Sequence, residues 1–114
     1  MRNIKELTIV FASVEYADNS GSKARPVFIL YSSGKLYKAL KITSKFENKS
    51  KAIQKKYFEI IEWQKAGLWK KSWIDTVKGY DLPEGSVIRE LGKLTLSDTR
   101  RLFDFIKERF DLFE

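Results

Sequence analysis

The sequence predicts a mainly β domain that ends in one helix, with the strands curled into a small barrel and the helix packed on it. Three observations predict this fold. Short β-branched and aromatic runs recur up to residue 91, turn-forming residues separate them, and helical apolar spacing begins only after residue 95. With 114 residues and 43% hydrophobic content, the chain suits a single domain, residues 1–114, with a packed core.

Six segments have the composition of strands, because they are rich in β-branched and aromatic residues and are bounded by turn formers. Ser33-Gly34 predicts a hairpin, so the third segment should return antiparallel to the second. The fourth segment is also compatible with a short helix, and the lysine-rich stretch Ser44–Lys56 before it is predicted to be a loop. In chain order the six segments are Leu7–Val14, Pro26–Ser32, Lys35–Thr43, Tyr57–Trp63, Ser72–Val77 and Ser86–Leu91.

The last part of the chain has the pattern of an amphipathic helix. Thr95 or Ser97 can cap its first turn, where Asp98 suits the helix dipole. We expect the apolar face to pack against the barrel or against a second copy of the chain, since it is too large to leave in solvent. Its members are Leu102, Phe103, Ile106, Phe110 and Phe113.

Positive charge is concentrated before the predicted helix. The chain carries a formal charge of +7, and the segment Lys35–Lys71 contains 11 lysines against three acids. A segment of that sign attracts polyanions such as nucleic acid. A lysine-rich solvated surface explains the same composition, so the charge alone leaves both interpretations open.

Composition excludes several kinds of active site. The chain has no histidine and no cysteine, which removes Cys/His zinc sites, Cys/His pairs and Ser-His-Asp triads. Glu59 and Glu62 would share a face only in a helix, and the run Gly85–Lys93 lacks the spacing of a P-loop. We therefore expect no metal and no cofactor. Neither a membrane-length apolar run nor a signal-peptide pattern is present, so the expected location is the cytoplasm.

Arginine, lysine and hydroxyl side chains remain, and these suit chemistry on a phosphate. RNA can be cut by its own 2′-OH, a reaction that needs no protein nucleophile but does need donors and positive charge where the phosphorane develops. An arginine fork and a threonine hydroxyl provide both. If the hairpin pairs about Ser33-Gly34, Arg25 and Thr43 lie side by side at its open end.

Four short motifs follow one another along the chain. They are Arg25-Pro26-Val27, then Ile42-Thr43-Ser44, then Gly67-Leu68 with Lys70, Ser72 and Ile74, and finally Glu90-Leu91-Gly92-Lys93-Leu94-Thr95 with Asp98. In order and spacing, from about residue 7 to residue 106, the chain resembles the MazF/PemK-like mRNA interferase toxins of type II toxin–antitoxin systems.

The resemblance implies an SH3-like barrel with a C-terminal helix, a homodimer, and an antitoxin that blocks the RNA groove. It also implies that Arg25 and Thr43 are the cleavage pair. Two features depart from the family. Lys5-Glu6-Leu7 stands where Gly-Asp usually opens the first strand, and the loop 19–23 lacks the acid that such toxins often carry. The second departure leaves the general base unassigned, since arginine is a poor proton acceptor.

The leading hypothesis is a toxin-type endoribonuclease that cleaves single-stranded RNA without metal, by 2′-OH attack, leaving a 2′,3′-cyclic phosphate and a 5′-OH. Ser44, which is also the alternative hydroxyl to Thr43, and nearby lysines would bind the RNA backbone, while Trp69 would stack on a base. The lysines are Lys45, Lys49, Lys51, Lys55 and Lys56. The alternatives are a non-catalytic SH3-like module that binds nucleic acid or protein, and a DNA-directed toxin of the same barrel class, related in fold to gyrase poisons.

Overall fold

Seven strands and two α-helices make up the part of the chain that the computed structural model describes, residues 4–16 and 20–108. The helices are α1 (Lys51–Gln54) and α2 (Leu96–Lys107), and a 3-10 turn (Glu84–Ser86) precedes the last strand. The strands are β1 (Thr8–Glu15), β2 (Ser22–Ser33), β3 (Leu36–Thr43), β4 (Tyr57–Ile60), β5 (Ser72–Asp75), β6 (Tyr80–Pro83) and β7 (Val87–Lys93). The predicted mainly β fold with a C-terminal helix is confirmed.

The strands form an antiparallel sheet in the order β4-β5-β3-β2-β1-β7, and β6 pairs separately with β3. β3 therefore pairs with β2 along one edge and with two strands, β5 and β6, along the other. Its first half, Leu36–Ala39, pairs with β6, while Ile42 and Thr43 pair with β5. The sheet forks between these two halves, at Leu40 and Lys41.

The predicted β2–β3 hairpin is present, but its turn residues are Gly34 and Lys35, because Ser33 still pairs with Leu36. Gly34 has the positive φ of 66° that suits such a tight turn. Val27 and Lys41 form the last rung of the ladder, directly before Pro26, which has no N–H to donate. β2 begins at Ser22, earlier than predicted, because β1 pairs with it that far back. Pro26 consequently lies inside a strand rather than at its start.

Three elements differ from their predictions. β4 stops at Ile60, and the chain through Trp63 turns away from the sheet. The lysine-rich loop contains α1, which Ser50 caps by accepting a hydrogen bond from the N–H of Ile53 at 3.3 Å. β6 lies between the fifth and sixth predicted strand segments, where no strand was predicted. The flanking Gly79 and Gly85 and the strand's own Pro83 favour turns, and the pairing with β3 makes the segment a strand.

Side chains pack on both faces of the β1–β2–β3 sheet. One cluster contains Phe28 and Ile42 together with Leu102 of α2. The other contains Val27 and Ala39 and is covered in part by β6. Because successive strand residues face opposite sides, these two clusters fix the face of every neighbouring position in β2 and β3.

Backbone contact, rather than strand pairing, brings the two ends of the sheet together. No hydrogen-bonded rung joins β4 to β7 within the described ranges, so the predicted barrel is not closed. The turn after β4 lies against β7 instead. A Cβ on Gly67 would overlap the carbonyl of Leu91, and a Cβ on Gly92 would overlap the carbonyl of Ala66. Both positions therefore require glycine.

α2 is fixed to the same turn by its first residues. Thr95 caps the helix, its Oγ1 accepting a hydrogen bond from the N–H of Asp98 at 3.3 Å. Asp98 is buried, accepts from the N–H of Glu62 at 2.8 Å and pairs with Arg101 at 2.7 Å. The first turn of α2, which Thr95 caps as predicted, therefore also attaches the helix to the turn after β4.

The apolar face of α2 differs by one residue from its prediction. Leu102 is fully buried and Ile106 packs against the same cluster, as expected. Phe103 is 43% exposed, and Phe105 packs against the core instead. Helical geometry turns residue 105 inward with 102 and 106, and turns residue 103 outward. Phe110 and Phe113, the remaining predicted members, lie outside the described residues.

Candidate functional site

Arg25 and Thr43 lie at the same end of the β2–β3 hairpin. Val27 and Lys41 form its last rung, and the same register carried two residues further puts Arg25 opposite Thr43. Beyond that rung Arg25 pairs with β1 and Thr43 pairs with β5. Each residue is thus held from its outer side, and the space between them is not occupied by a backbone ladder.

A groove of about 290 Å³ lies at this end of the sheet. Apolar, hydroxyl and basic residues share its lining, a combination that accommodates both a nucleobase and a phosphate. The lining residues are Phe11, Lys23, Ala24, Arg25, Pro26, Ile42, Thr43, Ser44, Lys45, Leu68, Trp69, Lys70 and Ser72. The predicted residues Arg25, Thr43, Ser44, Lys45 and Trp69 are therefore brought together.

Trp69 is the most accessible ring at the groove, with 53% of its surface exposed. Its edge packs against Phe11, the two ring centroids being 6.0 Å apart at an interplanar angle of 66°. Arg89 lies over the same Phe11 ring, 5.8 Å from its centroid. The contact anchors the indole while leaving half of its surface available for stacking.

Strand alternation directs the side chains of Arg25 and Thr43 to one face of the sheet. Arg25 precedes Val27 by two positions, and Thr43 follows Lys41 by two, so all four side chains share a face. Pro26 alternates with them and belongs to the apolar wall of the groove. Arg25 and Thr43 therefore line the groove with side chains on the same face of the sheet as those of Val27 and Lys41.

The guanidinium of Arg25 lies within electrostatic reach of two phenols, those of Tyr57 and Tyr80. Burial raises the pKa of Tyr57, as do the charge of Asp75 and a hydrogen bond to it, while Arg25 opposes the rise. Burial also raises the pKa of Tyr80, far above its ordinary value, and Arg25 again opposes. Both phenols keep their protons at neutral pH, so each can donate a hydrogen bond.

Thr43 is half-buried, and its Oγ1 accepts a hydrogen bond from the backbone N–H of Lys45 at 3.1 Å. That bond occupies a lone pair and leaves the hydroxyl proton available to a second acceptor. Ser44, the alternative hydroxyl, is exposed at the same groove. Of these two hydroxyl residues, Thr43 belongs to β3 and its backbone is held there by pairing with Trp73 of β5.

The predicted lysines divide into two groups. Lys45 borders the groove, and so do Lys23 and Lys70, two lysines that were not predicted to bind RNA. The remaining four belong to the segment around α1 and do not line the groove; they are Lys49, Lys51, Lys55 and Lys56. Phe46 anchors that segment by stacking on Trp73, with centroids 4.8 Å apart and ring planes at 10°.

The described ranges contain no cluster of carboxylates. No group of three or more Asp or Glu side chains in residues 4–16 and 20–108 is placed to hold a metal ion. Glu59 and Glu62 form ion pairs with different lysines, at 3.7 Å from Lys71 and 3.1 Å from Lys65 respectively.

In residues 4–16 and 20–108, no helix has the length and apolar character needed to span a membrane.

The fold matches that of a bacterial toxin. Superposition on the Mycobacterium tuberculosis toxin MazF-mt6 gives a TM-score of 0.68 at 23% sequence identity, over 92% of this chain and 97% of the other. This chain has the MazF fold. No protein-family model and no curated protein matches it. The resemblance seen in four sequence segments is thereby confirmed at the level of the MazF fold.

Three of those four segments meet at the groove. They contribute Arg25 and Pro26, then Ile42, Thr43 and Ser44, and then Leu68, Lys70 and Ser72. The fourth supplies Gly92, which admits the turn that carries Leu68 and Trp69 to the groove. The sequence features shared with MazF toxins are thus concentrated on one site and its support.

Proposed function

We propose that the chain is a toxin-type endoribonuclease that cleaves single-stranded RNA without a metal ion. The observation that supports this most strongly is the meeting of Arg25, Thr43 and Trp69 at one basic groove in a MazF fold. A fixed arginine and a fixed hydroxyl act on a phosphate, and an exposed indole binds a base.

In this mechanism the 2′-oxygen of the RNA attacks the adjacent phosphorus and forms a phosphorane. Arg25 and the hydroxyl of Thr43 donate hydrogen bonds to the oxygens on which negative charge develops. The bond from phosphorus to the 5′-oxygen then breaks, which leaves a 2′,3′-cyclic phosphate on one fragment. A base takes up the proton of the 2′-OH as the attack proceeds. The leaving 5′-oxygen takes up a proton and becomes a hydroxyl.

The lysines support a path for the RNA backbone. Lys23, Lys45 and Lys70 border the groove, so phosphates on either side of the cleaved one can contact them. The four lysines around α1 extend the positive surface beyond the groove. A base next to the cleaved phosphate stacks on Trp69, whose exposed ring lies at the rim.

The proposal includes the partners that go with this class of toxin: an RNA substrate in the cytoplasm, a second copy of the chain, and an antitoxin protein that covers the groove. An acidic antitoxin segment would complement the lysines bordering the groove. The dimer is tested by light scattering over a concentration series. A protein that stays monomeric at tens of micromolar while cutting RNA at full rate would exclude the dimer and leave the nuclease standing.

A non-catalytic module that binds single-stranded nucleic acid is the second candidate. The observation that favours it is the absence of an acid from the loop 19–23, where a proton acceptor would be expected. The groove would then bind RNA with the same lysines and the same indole, and the RNA would remain intact.

Incubation of purified protein with mixed single-stranded RNA in EDTA, followed by end-group analysis, separates the two candidates. The nuclease produces fragments with 2′,3′-cyclic phosphate and 5′-OH ends, and Arg25→Ala abolishes them while Arg100→Ala, on the exposed side of α2, does not. Intact RNA that nevertheless shifts in a binding assay would support the binding module and refute the nuclease.

A further inference from the structure

Two buried polar atoms near the candidate site have no hydrogen-bond partner within the described residues. They are the Nε of Arg25 and the hydroxyl oxygen of Tyr80. Only one other buried side-chain atom in the same part of the chain, a carboxylate oxygen of Glu84, shares that condition. An unpaired buried donor is costly, and folded proteins keep few of them. Arg25 lines the groove, whereas Tyr80 lines a second depression together with Lys41, within electrostatic reach of Arg25. Two unpaired donors from such neighbouring residues indicate a ligand that accepts from both.

Tyr80 belongs to the same face of the sheet as Arg25. It opens β6 and pairs with Ala39 of β3, and its ring packs against the cluster that contains Val27. Lys41, which follows Ala39 by two positions, holds its ammonium 5.6 Å from the centre of the Tyr80 ring. The phenol therefore has one cation over the face of its ring and a second, Arg25, within electrostatic reach.

That surrounding selects an anion as the ligand. Arg25 and Lys41 carry positive charge, and the phenol of Tyr80 keeps its proton because burial raises its pKa. All three groups donate hydrogen bonds, and a phenol that stays neutral cannot serve as a base. A phosphate offers several acceptor oxygens to such a set.

We propose that Tyr80 is a further phosphate-binding residue, whose hydroxyl donates a hydrogen bond to a non-bridging oxygen of the phosphate that Arg25 Nε also contacts. This rests on the proposed function, because the phosphate concerned is the one cleaved. Thr43 approaches that phosphate from β3, Arg25 from β2 and Tyr80 from β6. Three strands would then each supply one donor to the same group.

Tyr80→Phe tests this, because it removes the hydroxyl and keeps the ring. Loss of one preorganised donor lowers the cleavage rate by about 100-fold. The thermal unfolding midpoint should not fall, since the lost hydroxyl has no partner in the free protein. Tyr37→Phe is the control, because Tyr37 is a buried tyrosine of the same cluster at the other end of β3. It should leave the rate unchanged.

Binding of a 2′-O-methyl RNA oligonucleotide, which cannot be cleaved, separates the failure of this inference from the failure of the nuclease. Tyr80→Phe should weaken that binding about 10-fold or more, as expected when a hydrogen bond to a charged oxygen is lost. A parent protein that binds the oligonucleotide but never cuts RNA, with binding still sensitive to Tyr80→Phe, refutes cleavage and retains the phosphate site. Equal affinity and equal rate in parent and Tyr80→Phe overturn the role of Tyr80. A Tyr80→Phe protein that loses binding and cleavage only because it has unfolded overturns it too, because the hydroxyl would then be needed for folding.

Discussion

The N–H of Lys45 donates a hydrogen bond to Oγ1 of Thr43 at 3.1 Å, immediately after β3 ends. The threonine backbone is held on its other side by the rung with Trp73 of β5. Its hydroxyl oxygen is therefore held in place by the fold, while its proton remains available to an acceptor. Preorganised donors of this kind stabilise developing charge without reorganisation at the moment of reaction.

Replacing Thr43 tests the hydroxyl directly. Thr43→Val keeps the branched shape and removes the donor, so the cleavage rate should fall by about 100- to 1000-fold. Thr43→Ser keeps the donor and should retain most of the rate. Initial rates on a single-stranded RNA oligonucleotide measure both. Should Thr43→Val cleave as fast as the parent protein, the donor must be sought elsewhere, and exposed Ser44 would be the next residue to replace.

Arg25 is expected to matter for rate and not for folding. Arg25→Ala should lower cleavage by at least about 100-fold, because it removes a charged donor from the phosphorane. The free energy of unfolding should change little, since the Nε of Arg25 makes no hydrogen bond within the described residues. Arg25→Lys keeps the charge but loses the planar fork, so it should rescue only part of the rate.

Arg100→Ala is the matched control for that series, because Arg100 is exposed on α2 and does not line the groove. Rates should be compared with urea unfolding of the same samples. Near-parental cleavage by folded Arg25→Ala would remove this arginine from the mechanism.

The turn signal at Ser33-Gly34 was enough to predict that Arg25 and Thr43 lie at the same end of one hairpin. The exact register also depends on a bulge between Ile29 and Tyr31, which offsets the turn's being one residue later, at Gly34-Lys35, and so brings Val27 opposite Lys41. The cap at Thr95 was predictable for a similar reason, since a cap acts within one helical turn. Both predictions depend on interactions between residues that are close in sequence or joined by one tight turn.

The role of Tyr80 depends on contacts that no local pattern reveals. Its segment is rich in turn formers, and its strand exists because the first half of β3 is left free by β5. The separation of Lys45 from Lys49 has a similar origin, since Phe46 stacks on Trp73 of a distant strand and redirects the loop between them. Charge counted along the sequence therefore could not show that Lys45 lines the groove while Lys49 does not.

Salt dependence distinguishes the lysines at the groove from those around α1. Affinity for single-stranded RNA should fall by roughly 0.7 log units per phosphate contacted for each tenfold rise in salt. Changing the three groove lysines to Gln should reduce that slope by about two log units of affinity per tenfold change in salt, if each lysine contacts one phosphate. These are Lys23, Lys45 and Lys70.

The matched variant changes the four lysines around α1 to Gln. These lysines are predicted from the sequence to bind the RNA backbone, and a flatter slope in this variant as well would show that the RNA extends past the groove. If only the quadruple variant changes the slope, the RNA follows α1 and not the groove. The four are Lys49, Lys51, Lys55 and Lys56.

Gly92 supports the groove at a distance, which a substitution to alanine can show. The added Cβ would overlap the carbonyl of Ala66, so β7 and the turn after β4 must separate. Forcing atoms into a packed contact typically costs about 1–3 kcal/mol of unfolding free energy. Gly85→Ala is the control, because a Cβ there meets nothing within 4 Å. The same turn leads into Trp69, so Gly92→Ala should also weaken RNA binding in samples that remain folded. Equal unfolding free energies for the two variants, measured in urea, would show that the contact between Gly92 and Ala66 does not hold the two ends of the sheet together.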